Sequence, residues 1–315
     1  MKEIGGYFGL EQLPDRSRYG DLVAVNNGRN ALAYILHAKN VRKLYIPIYL
    51  CDCVEEVCGK IGCATQYYSI GDDFLPLFDR ELGKDEWLYV VNYFGQISNA
   101  KVQELKDRYG NVIFDNVQAF FQEPVPGIDT VYSCRKFFGV PDGGYAATDS
   151  VLHELQTDVS RERMTHVLGR FEGQASDFYS DFQECERTFS ELPLRAMSKL
   201  TKNILSSIDY EAVRRKRSEN YQYLAKILGP HNRLNLFEPV GPYCYPFYCE
   251  NGMQLKKTLA RQKIFVPTLW PNVLRHEGTL EKDYAENILP LPCDQRYGRE
   301  DMQAVVEAIL TNMQR

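Results

Sequence analysis

The sequence contains no long apolar run and no concentration of basic residues. No stretch approaches the length that a membrane-spanning helix requires. The formal net charge is -5, and the 37 lysine and arginine residues are scattered along the chain. Binding to nucleic acid or to an anionic membrane depends on a basic face that contacts phosphate groups. The composition therefore argues against both classes of partner.

The sequence also lacks the pattern of a disulfide framework or of a zinc site. Residues 1–6 carry no apolar core of signal-peptide type, so we expect a cytoplasmic protein whose nine cysteines are reduced. Cys51 and Cys53 are spaced too tightly for a zinc-binding pair, and Cys58 and Cys63 follow on a predicted helix. These thiols are interpreted as small buried apolar groups, and no metal is expected.

Short apolar strands alternate with helical patterns over the first half of the chain. Strands are predicted at residues 22–25, 43–47, 65–69, 87–92, 112–115, 130–132 and 145–148, with helices at 31–36, 54–61 and 102–109. This alternation is typical of an α/β fold with three layers, in which helices cover both faces of a mostly parallel sheet. We predict a large domain over residues 1–208 and a small α+β domain over residues 209–315.

Residues 151–228 are rich in Glu, Arg, Gln and Leu and are predicted to be almost wholly helical, with a break at Leu192-Pro193. The part from about 150 to 205 is interpreted as a helical insertion in the large domain. Phe171, Phe178, Phe182 and Phe189 are spaced to face a partner, and the alternative is a solvated helical hairpin. The small domain is predicted to contain strands at 243–249, 264–268 and 288–292 and helices at 253–262 and 299–313.

One lysine lies in apolar, glycine-punctuated surroundings. Lys136 is followed by two phenylalanines and then by the turn sequence Pro141-Asp142-Gly143-Gly144. A desolvated lysine loses proton affinity, and the neutral amine is the form that attacks an aldehyde to give a Schiff base. The segment alone is equally consistent with a loop lysine that precedes a tight turn.

Two further segments are predicted to share the edge of the sheet where Lys136 lies. Asn27-Gly28-Arg29 joins a strand to a helix, and the amino terminus of a helix suits a phosphate. Asp115 ends another strand, where it is either a turn cap or a carboxylate partner for a protonated ring nitrogen. Ligands bind open α/β sheets at the carboxyl ends of their strands, so these segments predict a site.

These motifs resemble, in order and type, those of the DegT/DnrJ/EryC1/StrS family of pyridoxal-phosphate sugar aminotransferases. The matching segments are Asn27-Gly28-Arg29-Asn30-Ala31-Leu32, Asn92-Tyr93-Phe94-Gly95, Asp115-x-x-Gln118-Ala119, Ser133-x-x-Lys136, Asp142-Gly143-Gly144, Arg217-x-x-Asn220-Tyr221 and Leu289-Pro290-Leu291-Pro292. The similarity covers most of the chain. It implies the fold-type-I aspartate aminotransferase architecture, the cofactor pyridoxal 5'-phosphate and a homodimer.

The resemblance also implies a role for each residue of the site. Lys136 would form the Schiff base with the cofactor and move the proton, and Asp115 would keep the ring nitrogen protonated. The implied cofactor-binding set is Asn27, Gly28, Arg29, Tyr49, Cys51, Asp115, Gln118, Ser133 and Lys136. Tyr49 and Cys51 are alternatives for the residue that faces the ring, because the register of the segment after the second strand decides between them.

The chain departs from the family pattern at two places. The family commonly has Ser-Gly-Thr where this chain has Asn27-Gly28-Arg29, so either a guanidinium or backbone contacts replace a hydroxyl at the phosphate. The family segment that reaches a neighbouring subunit's site corresponds here to Arg195-Ala196-Met197-Ser198. Residues considered for the substrate side are Tyr7, Tyr93, Tyr245, Trp270 and Arg296.

The expected reaction is transfer of an amino group from an amino acid, expected to be glutamate, to a keto sugar, expected to be nucleotide-linked. A second reading is another fold-type-I reaction. Sugar dehydratases of the family replace the lysine with histidine, which Lys136 argues against, and desulfurases need a ring-stacking histidine that is missing near Asp115. A third reading is a non-catalytic or regulatory protein that keeps the fold.

Overall fold

An eight-stranded sheet forms the centre of the large domain in the computed structural model, which describes residues 4–313. Its strands are β1 (Val23–Val25), β2 (Lys43–Pro47), β3 (Ala64–Ile70), β4 (Pro76–Leu77), β5 (Glu86–Val91), β6 (Val112–Asp115), β7 (Asp129–Ser133) and β8 (Gly144–Ala147). They lie in the order β1-β8-β7-β6-β5-β2-β3-β4. The five central strands from β7 to β3 pair in parallel, and β8, β1 and β4 join antiparallel. The predicted, mostly parallel sheet is confirmed.

Within residues 4–313, three helices lie between strands of the large sheet, and seven more follow β8. They are α1 (Gly28–Ala38), α2 (Cys53–Lys60), α3 (Asn99–Tyr109), α4 (Thr165–Glu172), α5 (Tyr179–Glu191), α6 (Lys199–Ser206), α7 (Tyr210–Leu228), α8 (Gly252–Arg261), α9 (Leu280–Asn287) and α10 (Arg299–Met313). Side chains of Asn27 and Ser98 accept hydrogen bonds from the first turns of α1 and α3 and so fix where these helices begin. None of the described helices is long and apolar enough to cross a bilayer.

A second, smaller sheet lies in the C-terminal part, as predicted. It consists of β9 (Cys244–Tyr248) and β10 (Ile288–Pro292), which pair antiparallel and pack with α7, α8 and α10 around a core of their own. The strand predicted at 264–268 is wrong. The backbone N–H of Ile264 donates to Leu259 and closes the end of α8, while Phe265 is 69% exposed. The boundary between residues 208 and 209 stays a prediction, and α7 begins at Tyr210.

The prediction that residues 151–228 are almost wholly helical is wrong for residues 151–160, and the predicted break at Leu192-Pro193 extends to residue 198. Ala196 forms isolated bridges to both Val25 and Thr157. The physical reason is the edge position of β1, whose outer backbone groups need partners. Met197 donates its backbone N–H to the carbonyl of Ala24, and these extended segments therefore complete the sheet edge.

The hairpin of α4 and α5 is partly a packed element and partly an exposed one. Phe189 is 1% exposed and lies under the Arg135 guanidinium, whose carbon is 3.9 Å from the ring centre. Phe178 packs on Gly169, where a Cβ would lie 2.3 Å from its ring. Phe171 and Phe182 remain exposed. The interpretation of all four rings as partner-facing is thus wrong for Phe189, which anchors α5 against the residue preceding Lys136.

Candidate active site

The segments predicted to form the site meet at one edge of the large sheet. Because β6 and β7 are parallel, Asp115 and Ser133 both lie at the carboxyl ends of neighbouring strands. β8 runs the other way, and its first residue, Gly144, pairs with both Ser133 and Val25. A Cβ on Gly144 would lie 2.6 Å from the backbone carbonyl of Asn27, so only glycine permits this close approach.

The turn before α1 carries polar atoms that the described chain leaves without partners. The side-chain oxygen of Asn27 accepts from Asn30 N at 2.7 Å, and its Nδ2 is buried with no hydrogen-bond partner among the described residues. The Nε of Arg29 is buried and equally without a partner there. A Cβ on Gly28 would lie 3.2 Å from the Cβ of Ser133, so the turn and Ser133 are in contact.

Asp115 is 3% exposed, and two hydrogen bonds fix its carboxylate. Tyr89 donates its hydroxyl to Oδ2 at 2.7 Å, and the backbone N–H of Val117 donates to Oδ1 at 2.8 Å. Burial raises the pKa of Asp115 to about 6, against the opposing effects of these bonds and of the Lys136 charge. The group is therefore ionised near neutral pH, within electrostatic range of Lys136.

The amide of Gln118 is oriented by the backbone beside it. Phe94 adopts a left-handed conformation, with a φ of 56°, and donates its N–H to Oε1 of Gln118 at 2.8 Å. The amide nitrogen Nε2 is left buried and unpaired within the described part of the chain. Gln118 thus presents a free donor near the start of the loop that follows Asp115.

The expectation of a lysine with lowered proton affinity is wrong for the ligand-free protein. Burial lowers the pKa of Lys136, but Tyr243, Cys51 and Asp115 act in the opposite direction, and the net pKa is raised. The lysine is only partly buried by surface area, so water reaches part of the side chain. Sequence reasoning captured the burial but not the surrounding groups that favour the charge.

In the segment after β2, Tyr49 and Cys51 differ in how far their side chains are exposed. Tyr49 is fully buried, stacks on Tyr93 with ring centres 5.3 Å apart and meets the edge of Trp270 at 4.8 Å. It has no exposed ring face in the ligand-free protein, so the geometry favours Cys51 over Tyr49 as the residue that faces the cofactor ring, and this choice stays a prediction. Cys51 is partly exposed and lies close enough to Lys136 for the lysine charge to help lower the pKa of its thiol, after the stronger effect of Cys53.

The proposed substrate-side residues are dispersed. Tyr93 donates to the carbonyl of Tyr49, and Tyr245 packs on Tyr221 in the small-domain core, so neither faces a ligand. Trp270 is also buried, whereas Tyr7 is 99% exposed. Arg296 bonds Asp294 through Nε at 2.7 Å.

Tyr243, which sequence reasoning missed, lies beside Lys136, with Nζ 5.6 Å from its ring centre. It was predicted as the first residue of a strand, whereas β9 begins one residue later, so strand alternation did not indicate which way its ring points.

The unpaired polar atoms concentrate at this site. Of the seven buried side-chain nitrogen and oxygen atoms without a partner among residues 4–313, four belong to the set predicted from the sequence, on Asn27, Arg29, Tyr49 and Gln118. The three nitrogen atoms are all donors. An unpaired buried donor is costly, so this set fits a ligand rich in acceptor atoms. Among the described residues, no group of three His, Cys, Asp or Glu side chains is arranged to hold a metal ion.

Comparisons with known proteins agree with this geometry at the level of the fold. No protein-family model matches the chain, and no curated protein sequence matches it. Solved structures do. NtdA from Bacillus subtilis, with bound cofactor PMP, superposes with a TM-score of 0.67 at 15% identity, over 95% of this chain and 74% of that one. DesV from S. venezuelae, in complex with a ketimine intermediate, gives 0.64 at 16% identity, over 93% and 85%.

A third structure, a DegT DnrJ EryC1 StrS aminotransferase from Brucella abortus, gives a TM-score of 0.62 at 16% identity, over 92% of this chain and 85% of that one. The protein has the fold of these aminotransferases. The predicted fold class is therefore confirmed, and so is the resemblance to structures of this type, over about nine tenths of the chain. The individual site residues remain assignments made from geometry and spacing.

Proposed function

We propose that the protein is a pyridoxal-phosphate-dependent aminotransferase that moves an amino group from an amino acid to a keto sugar. One observation carries the proposal. Unpaired buried donors, an ionised aspartate and a lysine lie together at the carboxyl edge of the sheet. The structural neighbours support it, since NtdA is described with PMP and DesV with a ketimine intermediate.

The residues present fit this cofactor. Asn27 Nδ2, the Arg29 guanidinium and the amino terminus of α1 would hold the phosphate, for which charge-assisted donors at a helix start are suited. Asp115 would accept from the ring nitrogen, and Gln118 Nε2 would donate to the phenolic oxygen. Bound there, pyridoxal phosphate supplies an aldehyde and a ring that withdraws electrons from the carbon undergoing proton transfer.

The chain's own residues supply the acid and base. Lys136 would give its amine to the aldehyde and afterwards hold or release a proton at Nζ beside the reacting carbon. Tyr89 and Val117 fix the Asp115 carboxylate so that its charge stays aimed at the ring nitrogen. The raised pKa of Lys136 keeps the amine protonated in the ligand-free protein, so Nζ must release this proton before it attacks the aldehyde.

The substrates are a finer part of the proposal. We take glutamate as the amino donor, a nucleotide-linked keto sugar as the acceptor and a homodimer as the working form, because the family resemblance of the motifs implies them. Neighbours named as sugar aminotransferases support a sugar as the acceptor.

The test is the donor half-reaction on protein loaded with pyridoxal phosphate. We expect a visible absorption band in the wild type, its absence in Lys136→Ala, and its decay to the amine form on addition of glutamate. A panel of amino acids then ranks donors, and keto sugars restore the band. A loaded protein whose band no amino acid changes would instead indicate the non-catalytic alternative.

A further inference from the structure

The small domain places an aromatic ring beside Lys136. Tyr243 precedes β9, is only partly buried, and has its ring centre 5.6 Å from Lys136 Nζ. An ammonium group at this distance from the face of a tyrosine ring is attracted by the negative charge of the π system. The attraction acts on the charged lysine only, so the ring favours protonated Lys136 and limits where its Nζ can lie.

A buried arginine joins the backbone of Tyr243 to the lysine segment. Arg217, on α7, is 2% exposed. Its Nη1 donates to the carbonyls of Pro242 at 2.9 Å and Tyr243 at 3.4 Å, and its Nη2 donates to the carbonyl of Phe137 at 3.2 Å. The guanidinium also lies 4.5 Å from the Phe137 ring centre. Phe137 follows Lys136 directly. One side chain of the small domain therefore binds both the backbone that carries Tyr243 and the backbone next to Lys136.

The side chain of Gln295 bonds both Arg217 and the segment that follows Lys136. Gln295 accepts from Arg217 Nε at 2.8 Å and donates its Nε2 to the carbonyl of Phe137 at 2.7 Å. All these bonds of Arg217 go to amide oxygens, so the guanidinium fixes backbone positions here and does not neutralise a carboxylate. Planar, multiply donating geometry of this kind is what arginine offers and lysine does not.

We propose that Tyr243 is a positioning residue for Lys136. Arg217, with Gln295, fixes the backbone at Tyr243 relative to the backbone that follows Lys136. The inference deepens the proposed function and rests on the role of Lys136 there. Its consequence concerns the amine itself and can be measured without cofactor or substrate.

The experiment is competitive acetylation of the cofactor-free protein with acetic anhydride over a range of pH, with Lys136 followed by peptide mass spectrometry. Tyr243→Leu removes the ring, and the midpoint of the Lys136 profile should fall by roughly half a unit to one unit. Tyr243→Phe keeps the ring and should restore the wild-type midpoint. Arg217→Met should lower the midpoint, and adding it to Tyr243→Leu should give no further change.

Arg214→Met is the matched control, since Arg214 lies on the exposed side of the same helix and pairs with Glu211. If Arg217→Met does not fold, Gln295→Met replaces it, with a smaller fall expected. An unchanged midpoint in Tyr243→Leu overturns the proposal. A fall in Tyr243→Leu without one in the Arg217 or Gln295 variant overturns the part played by Arg217. Failure of pyridoxal phosphate to bind would refute the proposed function but leave these midpoints as measured.

Discussion

At the scale of single residues, Arg29 is the departure from the family pattern with the clearest physical consequence. Its buried Nε has no partner in the described chain, and it stands where the family resemblance places a hydroxyl. A guanidinium forms stronger, charge-assisted bonds to a phosphate than a hydroxyl does. Arg29 is therefore assigned to the phosphate and not to the cofactor ring.

This assignment predicts a selective loss of affinity. Arg29→Leu should weaken binding of pyridoxal 5'-phosphate roughly tenfold to hundredfold, as the loss of a charge-assisted bond implies. It should leave the affinity for pyridoxal, which has no phosphate, nearly unchanged. Fluorescence titration of both ligands measures the ratio, with the exposed Arg80→Leu as control. Equal losses for the two ligands would mean that Arg29 does not contact the phosphate.

The buried carboxylate of Asp115 is expected to lower the free energy of unfolding at neutral pH. Its pKa of about 6 in the fold exceeds the ordinary value of 3.8, so the native protein holds this proton more tightly than the unfolded chain. The ionised carboxylate thus lowers wild-type stability as pH rises from about 4 through about 6, and the effect levels off above the folded-state pKa. Asp115→Asn should be more stable near pH 7 by up to about 3 kcal/mol, with the difference fading toward pH 4.

Denaturant unfolding of cofactor-free protein across this pH range measures the effect. The same variant should still bind the cofactor on Lys136 but largely lose amino transfer, because an amide cannot keep the ring nitrogen protonated. Near-normal turnover in Asp115→Asn would contradict the role assigned to this carboxylate.

Motif spacing was enough to select Lys136, Asp115 and Gln118, because strand ends and turns leave a clear sequence pattern. It could not place Tyr49 or Tyr243. Whether an aromatic side chain faces a pocket or a core depends on packing from distant segments, such as Trp270 on Tyr49. The expected proton affinity of Lys136 was wrong for the same reason, since the groups that raise its pKa come from three separate parts of the chain, at Cys51 and Cys53, at Asp115 and at Tyr243.

At the scale of elements, the composition of the insertion predicts more helix than the structure contains. The Glu, Arg, Gln and Leu content of residues 151–228 predicts helix, yet Thr157 and Ala196 are held extended by the need to complete the edge at β1. Asp158, 4% exposed, bonds both Asn26 and Arg163 and ties the insertion to the turn that begins α1. A requirement of this kind arises from tertiary structure and has no local signature.

The hairpin of α4 and α5 yields a prediction about stability. Phe189→Ala should cost about 3–5 kcal/mol, because it leaves a cavity under Arg135 in a fully packed position. Phe171→Ala, at a ring that is 89% exposed, should change the free energy of unfolding by no more than about 0.5 kcal/mol. Chemical denaturation compares the two. Similar small losses would show that α5 is not packed on the lysine segment.

At the scale of the whole molecule, the order of strands and helices followed from periodicity, and most predicted elements lie within a residue or two of their observed bounds. What periodicity did not supply is the join between the two sheets, through Arg217 and the segment before β9. A single chain also leaves large apolar side chains exposed, among them Tyr7, Phe8, Phe171 and Tyr179. Exposed apolar groups of this size favour association.

We therefore expect the protein to sediment as a homodimer, with twice the 36.4 kDa mass of the chain. Sedimentation equilibrium at micromolar concentration, with and without pyridoxal phosphate, measures this directly. A species of monomer mass under both conditions would contradict the homodimer.

The central claim is that Lys136 carries pyridoxal phosphate, and reduction with borohydride tests it most directly. The protein is incubated with excess cofactor, reduced, digested and mapped by mass spectrometry, with Lys136→Ala and Lys256→Ala treated in parallel. We predict one phosphopyridoxyl group on the peptide that contains Lys136, retained in Lys256→Ala and lost in Lys136→Ala. No adduct on Lys136, or labelling spread equally over surface lysines, would contradict the account.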